Sequence, residues 1–264
     1  MDLGLRDRAC VVTGASRGIG LATARLLLAE GASVLLVGRD ERALEDAAGR
    51  FGAGERVQPL GQDITAPDAG ERVVQECRRH FERIDVLVNN AGTSAVRSVE
   101  ELSEEEWQAQ WELHVMGPMR LMRAAAPAMA QAGWGRIVNV SSSSGKRPSG
   151  TNMAYSVTKA AELSLSRAFA DLYAGRGVLI NAVTPGPVGG ELWLAPGGLA
   201  DQAAHARGIS REEVLESTAR RTPLGRMATE EEIAAVIVFL CSQPASNVTG
   251  AAWSVDGGTI PVIL

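Results

Sequence analysis

The sequence predicts a single α/β domain of three layers, doubly wound around a seven-stranded parallel sheet. Three observations predict it. Short apolar runs alternate with amphipathic stretches, the runs are rich in Val, Ile and Leu, and no linker, repeat or composition shift divides the 264 residues. Strands that are apolar on both faces need cover on both, and successive βαβ units supply it.

The first run, "ACVVT" (9–13), leads through "GASRGIG" into the apolar-periodic "LATARLLLAE". Gly14, Gly18 and Gly20 therefore lie between a strand and a helix. Glycine there permits positive φ and lets the backbone approach a pyrophosphate at the helix N-terminus. Ser16, Arg17 and Ile19 lie in the same loop and are expected to contact the dinucleotide. The second run, "SVLLVG" (33–38), ends where an acidic residue would bind the ribose hydroxyls of NAD and an arginine would favour the 2′-phosphate of NADP. That place holds Gly38, followed by Arg39, and Arg17 could clamp the same phosphate. Asp40 offers the opposing reading, a bond to the ribose. The expected cofactor is NADP, with NAD as the alternative.

The helical pattern "ERALEDAAGRF" (41–51) precedes the run "RVQPL" (56–60), and "AGERVVQECRRHF" (69–81) precedes "IDVLVNN" (84–90). Then come "RIVNVS" (136–141), the helical "AELSLSRAFADLYA" (161–174), "VLINAV" (178–183) and "AAWSV" (251–255). One stretch breaks the rhythm. Residues 188–222 hold Gly189, Gly190, Pro196, Gly197 and Gly198, then the polar helical piece "SREEVLESTARR". The segment leaves the carboxyl end of a strand, where open α/β sheets bind ligands, so a substrate lid is expected over a surface insertion.

Composition excludes several classes. The net charge is −5 and the arginines are scattered, which excludes an electrostatic nucleic-acid partner. Cys10, Cys77 and Cys241 are far apart, odd in number and without CxxC spacing, so neither a disulfide framework nor a metal site is expected. The apolar "IAAVIVFLC" is too short to span a bilayer, and no signal-type segment opens the chain. A cytoplasmic protein without a membrane partner is expected.

Tyr155 and Lys159 are four residues apart at the start of a helical pattern, which puts them on one face. A phenol is a poor acid–base group at neutral pH, and a neighbouring ammonium stabilises its anion. The Y-x-x-x-K pair alone is unspecific, but it stands in an ordered series that runs nearly end to end. The series is "TGASRGIG", "NNAG" at Asn89 to Gly92, "IVNVSSSSG", "YSVTK", "NAVTPGPV" and "VTGAAWSVDGG". With these motifs the chain resembles the short-chain dehydrogenase/reductases, in particular 3-oxoacyl-acyl-carrier-protein reductases.

The resemblance implies a Rossmann fold and hydride transfer between NAD(P)H and a carbonyl or secondary alcohol. Tyr155 would be the general acid in reduction and the base in oxidation. Lys159 would ease its ionisation and hold the nicotinamide ribose. In this family a helper serine lies thirteen residues before the tyrosine and three before a glycine; both distances select Ser142, with Gly145 as the glycine. Ser142 would stabilise charge on the substrate oxygen. Ser141, Ser143 and Ser144 read as loop and turn residues, with substrate contact as the alternative for Ser144. Asp63 and Ile64 would border the adenine, Asn90, Ala91 and Gly92 would line its cleft, and Pro185, Gly186 and Val188 would hold the nicotinamide. Relatives of this kind are homotetramers or homodimers. They pair the helix of His114 with the one starting at Tyr155, and the helix after Thr229 with the final strand.

Three positions depart from the family pattern. His114 stands where an asparagine completes a catalytic tetrad. A histidine there could preserve the tetrad's water, relay the proton itself, narrow the pocket, or simply pack. Gly190 stands where many relatives carry a threonine for the carboxamide. Of two basic residues that face an acyl-carrier protein, Arg176 is present and Gly133 replaces the other. Carrier docking is therefore left open, and Leu192, Trp193 and Leu194 offer an apolar contact to an aliphatic or aromatic ketone, with core packing as the equal alternative. The leading expectation is an NADP-dependent reductase of a 3-oxoacyl thioester or another ketone. The alternative is an NAD-dependent secondary alcohol or sugar dehydrogenase. A non-catalytic cofactor-binding protein is disfavoured, because Ser142, Tyr155 and Lys159 are all present.

Overall fold

The computed structural model describes residues 1–261. Seven strands form the sheet: β1 (Ala9–Thr13), β2 (Ser33–Gly38), β3 (Val57–Gly61), β4 (Val86–Asn89), β5 (Gly135–Val140), β6 (Val178–Pro185) and β7 (Ala252–Val255). All pairings are parallel, in the order β3-β2-β1-β4-β5-β6-β7. This is the predicted doubly wound sheet. Its helices are α1 (Gly18–Ala29), α2 (Glu41–Phe51), α3 (Ala69–Phe81), α4 (Glu104–Trp111), α5 (Gly117–Gln131), α6 (Ser143–Lys146), α7 (Met153–Tyr173), α8 (Glu191–Leu194), α9 (Leu199–Arg207), α10 (Arg211–Arg221) and α11 (Glu230–Leu240).

The two-sided apolar strands explain the layering. Cys10 and Val12 of β1 join Leu27 of α1 and Ile237 of α11 in one core, whereas Val11 joins Val73 of α3 and Leu121 of α5 in the other. Alternate residues thus serve opposite layers. Each fully buried Val or Leu contributes roughly 1.5–3 kcal/mol, so both faces of the sheet drive folding.

From β1 the chain winds outward to β3, then returns to β4 on the other side of β1. The crevice at this reversal, beyond the carboxyl ends of β1 and β4, is where doubly wound sheets take ligands. The glycine loop and Asn90 lie there. At the opposite end Asp85 accepts from Arg8, Arg83 and the Ala9 N–H, which ties the strand beginnings together.

The segment 188–222 folds as α8, α9 and α10, of which the sequence pattern had revealed α10 alone. Ser210 opens α10 with a reciprocal capping box to Glu213. The root of the segment is closed by a parallel bridge between Val188 and Ala228. Among the described residues, no helix is long and apolar enough to cross a membrane.

Candidate active site

The glycine loop comes first. Gly14 has φ 64°, and a Cβ on Gly20 would lie 2.3 Å from the Gly14 carbonyl oxygen. The loop closes on itself only because these positions carry no side chain. At the N-cap of α1, Arg17 has extended backbone; no side chain caps the helix and its first turn has no acidic residue. The first N–H groups of α1 are thus left to an anion, and the loop fits a dinucleotide pyrophosphate.

A latch that sequence reasoning missed sets the loop's position. Thr13 Oγ1 accepts from the N–H groups of Asn90 at 2.9 Å and Ala91 at 3.0 Å. Asn90 Nδ2 donates back to the carbonyls of Thr13 at 2.9 Å and Gly14 at 3.2 Å. Asn90 therefore shapes the cleft through the loop backbone, to which its amide is committed.

At the carboxyl end of β2, Gly38 closes the strand and Arg39 is exposed. Asp40 serves as the N-cap of α2, its Oδ1 accepting from the Ala43 N–H at 3.1 Å. Asp63 accepts from the N–H and hydroxyl of Thr65 at 2.9 and 2.8 Å. The Thr65 N–H bond is the main reason its carboxyl sits below the usual range. Ile64 is buried against Gly117. Arg17 Nη1 meets Glu191 Oε2 at 2.8 Å, joining the glycine loop to α8. Both side chains are more than half exposed, so this pair is worth well under about 1 kcal/mol and exchanges readily.

The reactive end lies where β5 runs out. Ser142 Oγ accepts from the Ser144 N–H at 3.0 Å, capping α6, which leaves its own hydroxyl proton free to donate. Ser141 is more than a loop residue: its hydroxyl donates to the Lys159 carbonyl at 2.8 Å and clamps α7 to β5. A Cβ on Gly145 would lie 2.9 Å from the Lys159 backbone. The spacing of serine, glycine and lysine thus has a packing cause, because α6 rests directly on α7.

Lys159 is turned toward the protein. Its Nζ donates to the Val140 carbonyl at 2.8 Å and to Glu162 Oε2 at 2.9 Å, and stands 5.9 Å from the centre of the Tyr155 ring. Lys159 is 3% exposed and Glu162 is 1% exposed. Burial pushes the Glu162 carboxyl up to about 7, against the pull of the Lys159 ammonium. Glu162 was not singled out from sequence. The available signal was that residues 155, 159, 162 and 166 fall on one helical stripe, and every one of them is polar.

His114 lies in a five-residue π-helical segment, Glu112–Met116, between α4 and α5. Its Nε2 accepts from the Thr93 N–H at 3.2 Å, so Nδ1 carries the proton and donates to Thr158 Oγ1 at 3.0 Å. The Thr158 hydroxyl in turn donates to the Tyr155 carbonyl at 2.9 Å. The ring meets Tyr155 edge-on, with centroids 5.3 Å apart and planes at 85°. Burial first, and the Lys159 ammonium second, hold the imidazole well below its ordinary range. It is neutral and both nitrogens are engaged.

At the carboxyl end of the sheet, Pro185 ends β6, and a Cβ on Gly186 would lie 2.9 Å from Asp256 Cα. A Cβ on Gly190 would lie 2.1 Å from Glu230 Oε1, so a carboxylate fills the space of the missing threonine. Leu192 and Leu194 are exposed and Trp193 is half-buried. Arg176 lies over the Tyr173 ring at 5.4 Å.

Residues 14–259 match the family model described as enoyl-(acyl carrier protein) reductase. The chain belongs to the short-chain dehydrogenase/reductase family. The L-sorbose reductase from Gluconobacter frateurii, solved with NADPH and L-sorbose, superposes with a TM-score of 0.92 at 35% identity over 100% of both chains. Galactitol 2-dehydrogenase (L-tagatose-forming) of Cereibacter sphaeroides is 36% identical over 256 residues, 96% of this chain and 95% of that protein. The 3-oxoacyl-[acyl-carrier-protein] reductase of Thermotoga maritima is 33% identical over 259 residues, 97% of this chain and 99% of that one. This short-chain dehydrogenase/reductase is an NAD(P)-dependent oxidoreductase acting on CH–OH and C=O groups.

Proposed function

We propose that the enzyme reduces a hydroxyl-bearing ketone of the ketose class with NADPH. The observation that carries this reading is the Tyr155–Lys159 pair on α7, with the ammonium 5.9 Å from the ring centre, against which the Ser142-capped α6 packs; the uncapped N-terminus of α1 offers the anion site. The full-length likeness to a ketose reductase solved with NADPH supports the substrate class. At the adenosine end the favoured 2′-phosphate partners are Arg17 and Arg39, because Asp40 is engaged as a helix cap.

When bound, the cofactor supplies the hydride. Ser142 donates a hydrogen bond to the ketone oxygen and stabilises the charge that grows there. Tyr155 delivers its phenolic proton to the same oxygen, and the Lys159 ammonium steadies the phenolate left behind. Asn90, through the glycine loop, and Val188, at the root of 188–222, set the cleft in which the dinucleotide lies, and that segment covers the substrate. The polyol reading runs the same site toward oxidation and is favoured by the galactitol dehydrogenase relative. An acyl-carrier substrate is less favoured, because Arg176 packs on Tyr173 and Gly133 offers no charge.

The test is a panel of ketoses, polyols, simple ketones and a 3-oxoacyl thioester with both cofactors. The expected result is highest kcat/KM for a ketose with NADPH; selective turnover of the thioester overturns the substrate class. By fluorescence titration, Arg17→Ala should weaken NADPH about 10- to 100-fold and NADH little, as removal of a charge-assisted phosphate contact requires. Equal affinity of the unmodified enzyme for both cofactors would refute the NADP assignment.

His114 is proposed as a packing and positioning residue that relays no proton during turnover. His114→Asn should hold the Thr93 N–H and lower kcat less than about tenfold. Because the imidazole stays neutral, the pH–rate profiles of the two proteins should have the same shape. Loss of a limb near the ordinary histidine range in the variant would show that His114 titrates during turnover.

A further inference from the structure

Beneath the reactive pair lies a buried carboxylate that the reaction outlined above leaves unassigned. Glu162 sits one turn beyond Lys159 on α7, almost fully enclosed, with Oε2 on the lysine ammonium at 2.9 Å. A single carboxylate is costly to bury, and an ion pair in a protein interior rarely repays the desolvation of both partners. An apolar residue would fill this place at less cost, so stability alone does not account for the glutamate.

Its surroundings fix it closely. The Ser166 hydroxyl donates to the Glu162 carbonyl at 2.7 Å, Asn139 Nδ2 donates to that hydroxyl at 2.7 Å, and Asn89 Nδ2 donates to Asn139 Oδ1 at 2.7 Å. This polar thread pins the helical turn to β5 and β4. The lysine is held from the other side by the Val140 carbonyl at the end of β5. Lys159 is the charged group that acts on Glu162. Of the other titratable groups near this turn, Tyr155 is on the same helix, and His114, from the π segment, is neutral. Strand β5 contributes Asn139, and Ser141 follows it directly; neither carries charge.

We propose that Glu162 is a positioning residue for the reaction: its carboxylate anchors the Lys159 ammonium at the end of β5 and sets how much of that positive charge reaches Tyr155. The inference rests on the assignment of Tyr155 as the proton donor. Two opposite charges separated by one hydrogen bond present a dipole to the phenol, whereas a lysine beside a neutral partner presents a full charge. Neutralising Glu162 therefore favours the phenolate. A shortened but charged side chain preserves the balance.

The experiment reads the phenol directly, without cofactor or substrate. The chain has two tyrosines, Tyr155 and Tyr173, so Tyr173→Phe in the full-length protein leaves one phenol. Phe keeps the stack of residue 173 on Phe169, whose centroids are 6.1 Å apart. Tyrosinate absorbance is followed against pH in this background, with Glu162→Gln and Glu162→Asp added separately. The Gln variant is expected to move the midpoint down by about half a unit or more, with the Asp variant staying near the parent. An unmoved or raised midpoint in Gln overturns the proposal, as does an Asp variant that moves as far as Gln. If Gln does not fold, Glu162→Met fills similar volume without charge and carries the same expectation. Loss of turnover in Tyr155→Phe with no midpoint change in Glu162→Gln would reject this inference alone. Retained turnover in Tyr155→Phe would reject the assignment beneath it.

Discussion

Tyr155→Phe should lower kcat for ketone reduction about 10²- to 10⁴-fold, the usual contribution of a positioned general acid. The substitution removes one oxygen and leaves the remaining geometry in place. The ring still meets His114 edge-on at 5.3 Å, and the Thr158 bond goes to the backbone carbonyl of residue 155, which is unchanged. NADPH affinity by fluorescence titration should therefore stay within about twofold, so the loss falls on the chemical step. Normal turnover in this variant would mean that another group protonates the substrate oxygen. Ser142→Ala is a less clean probe. It also deletes the cap on the Ser144 N–H, a loss of about 1 kcal/mol in local helix stability.

How much of this site was legible in the sequence depends on the range of each cause. Gly14 and Gly20 announce themselves because local backbone geometry demands them, and Gly145 does so because one helix rests on another. The strand runs were readable because both faces of each are buried, which leaves little choice of residue. By contrast, the Thr13–Asn90 latch joins positions 77 residues apart, and no local pattern marks a threonine as its hub. Arg17 and Glu191 meet across 174 residues. Glu162 was hidden for a different reason. In an amphipathic stretch a polar residue reads as solvent-facing, and only the packing of α7 on β5 turns that stripe inward. The π-helical segment at His114 was equally hidden, since one extra residue in a turn changes register without changing composition.

Lys159→Met should reduce the folding stability of the protein by about 3–5 kcal/mol at about pH 8, because it strands the Glu162 carboxylate inside the fold. The sign of the pH dependence follows from the direction in which Glu162 is displaced. Its carboxyl is raised to about 7 in the folded protein, above its ordinary value of 4.5. The folded state therefore takes up a proton more readily than the unfolded chain between those values. The contribution of this group is most favourable below about 4.5 and is lost as pH rises through about 7, a difference of about 3 kcal/mol. Removing the ammonium, which lowers the carboxyl, displaces it further upward. At about pH 5.5 Glu162 is then largely protonated, and the variant should lose much less stability than at about pH 8. Urea unfolding midpoints at the two pH values measure the difference. Lys159→Met combined with Glu162→Met replaces the pair by apolar side chains and should return to within about 1 kcal/mol of the parent, or exceed it. Equal losses at both pH values, or no recovery in the double variant, would show that Lys159 supports the fold through packing rather than by balancing a buried charge. Activity should stay abolished in the double variant even as stability returns. That separation is the expected mark of a pair retained for the orientation and charge it presents to Tyr155 at some cost to stability.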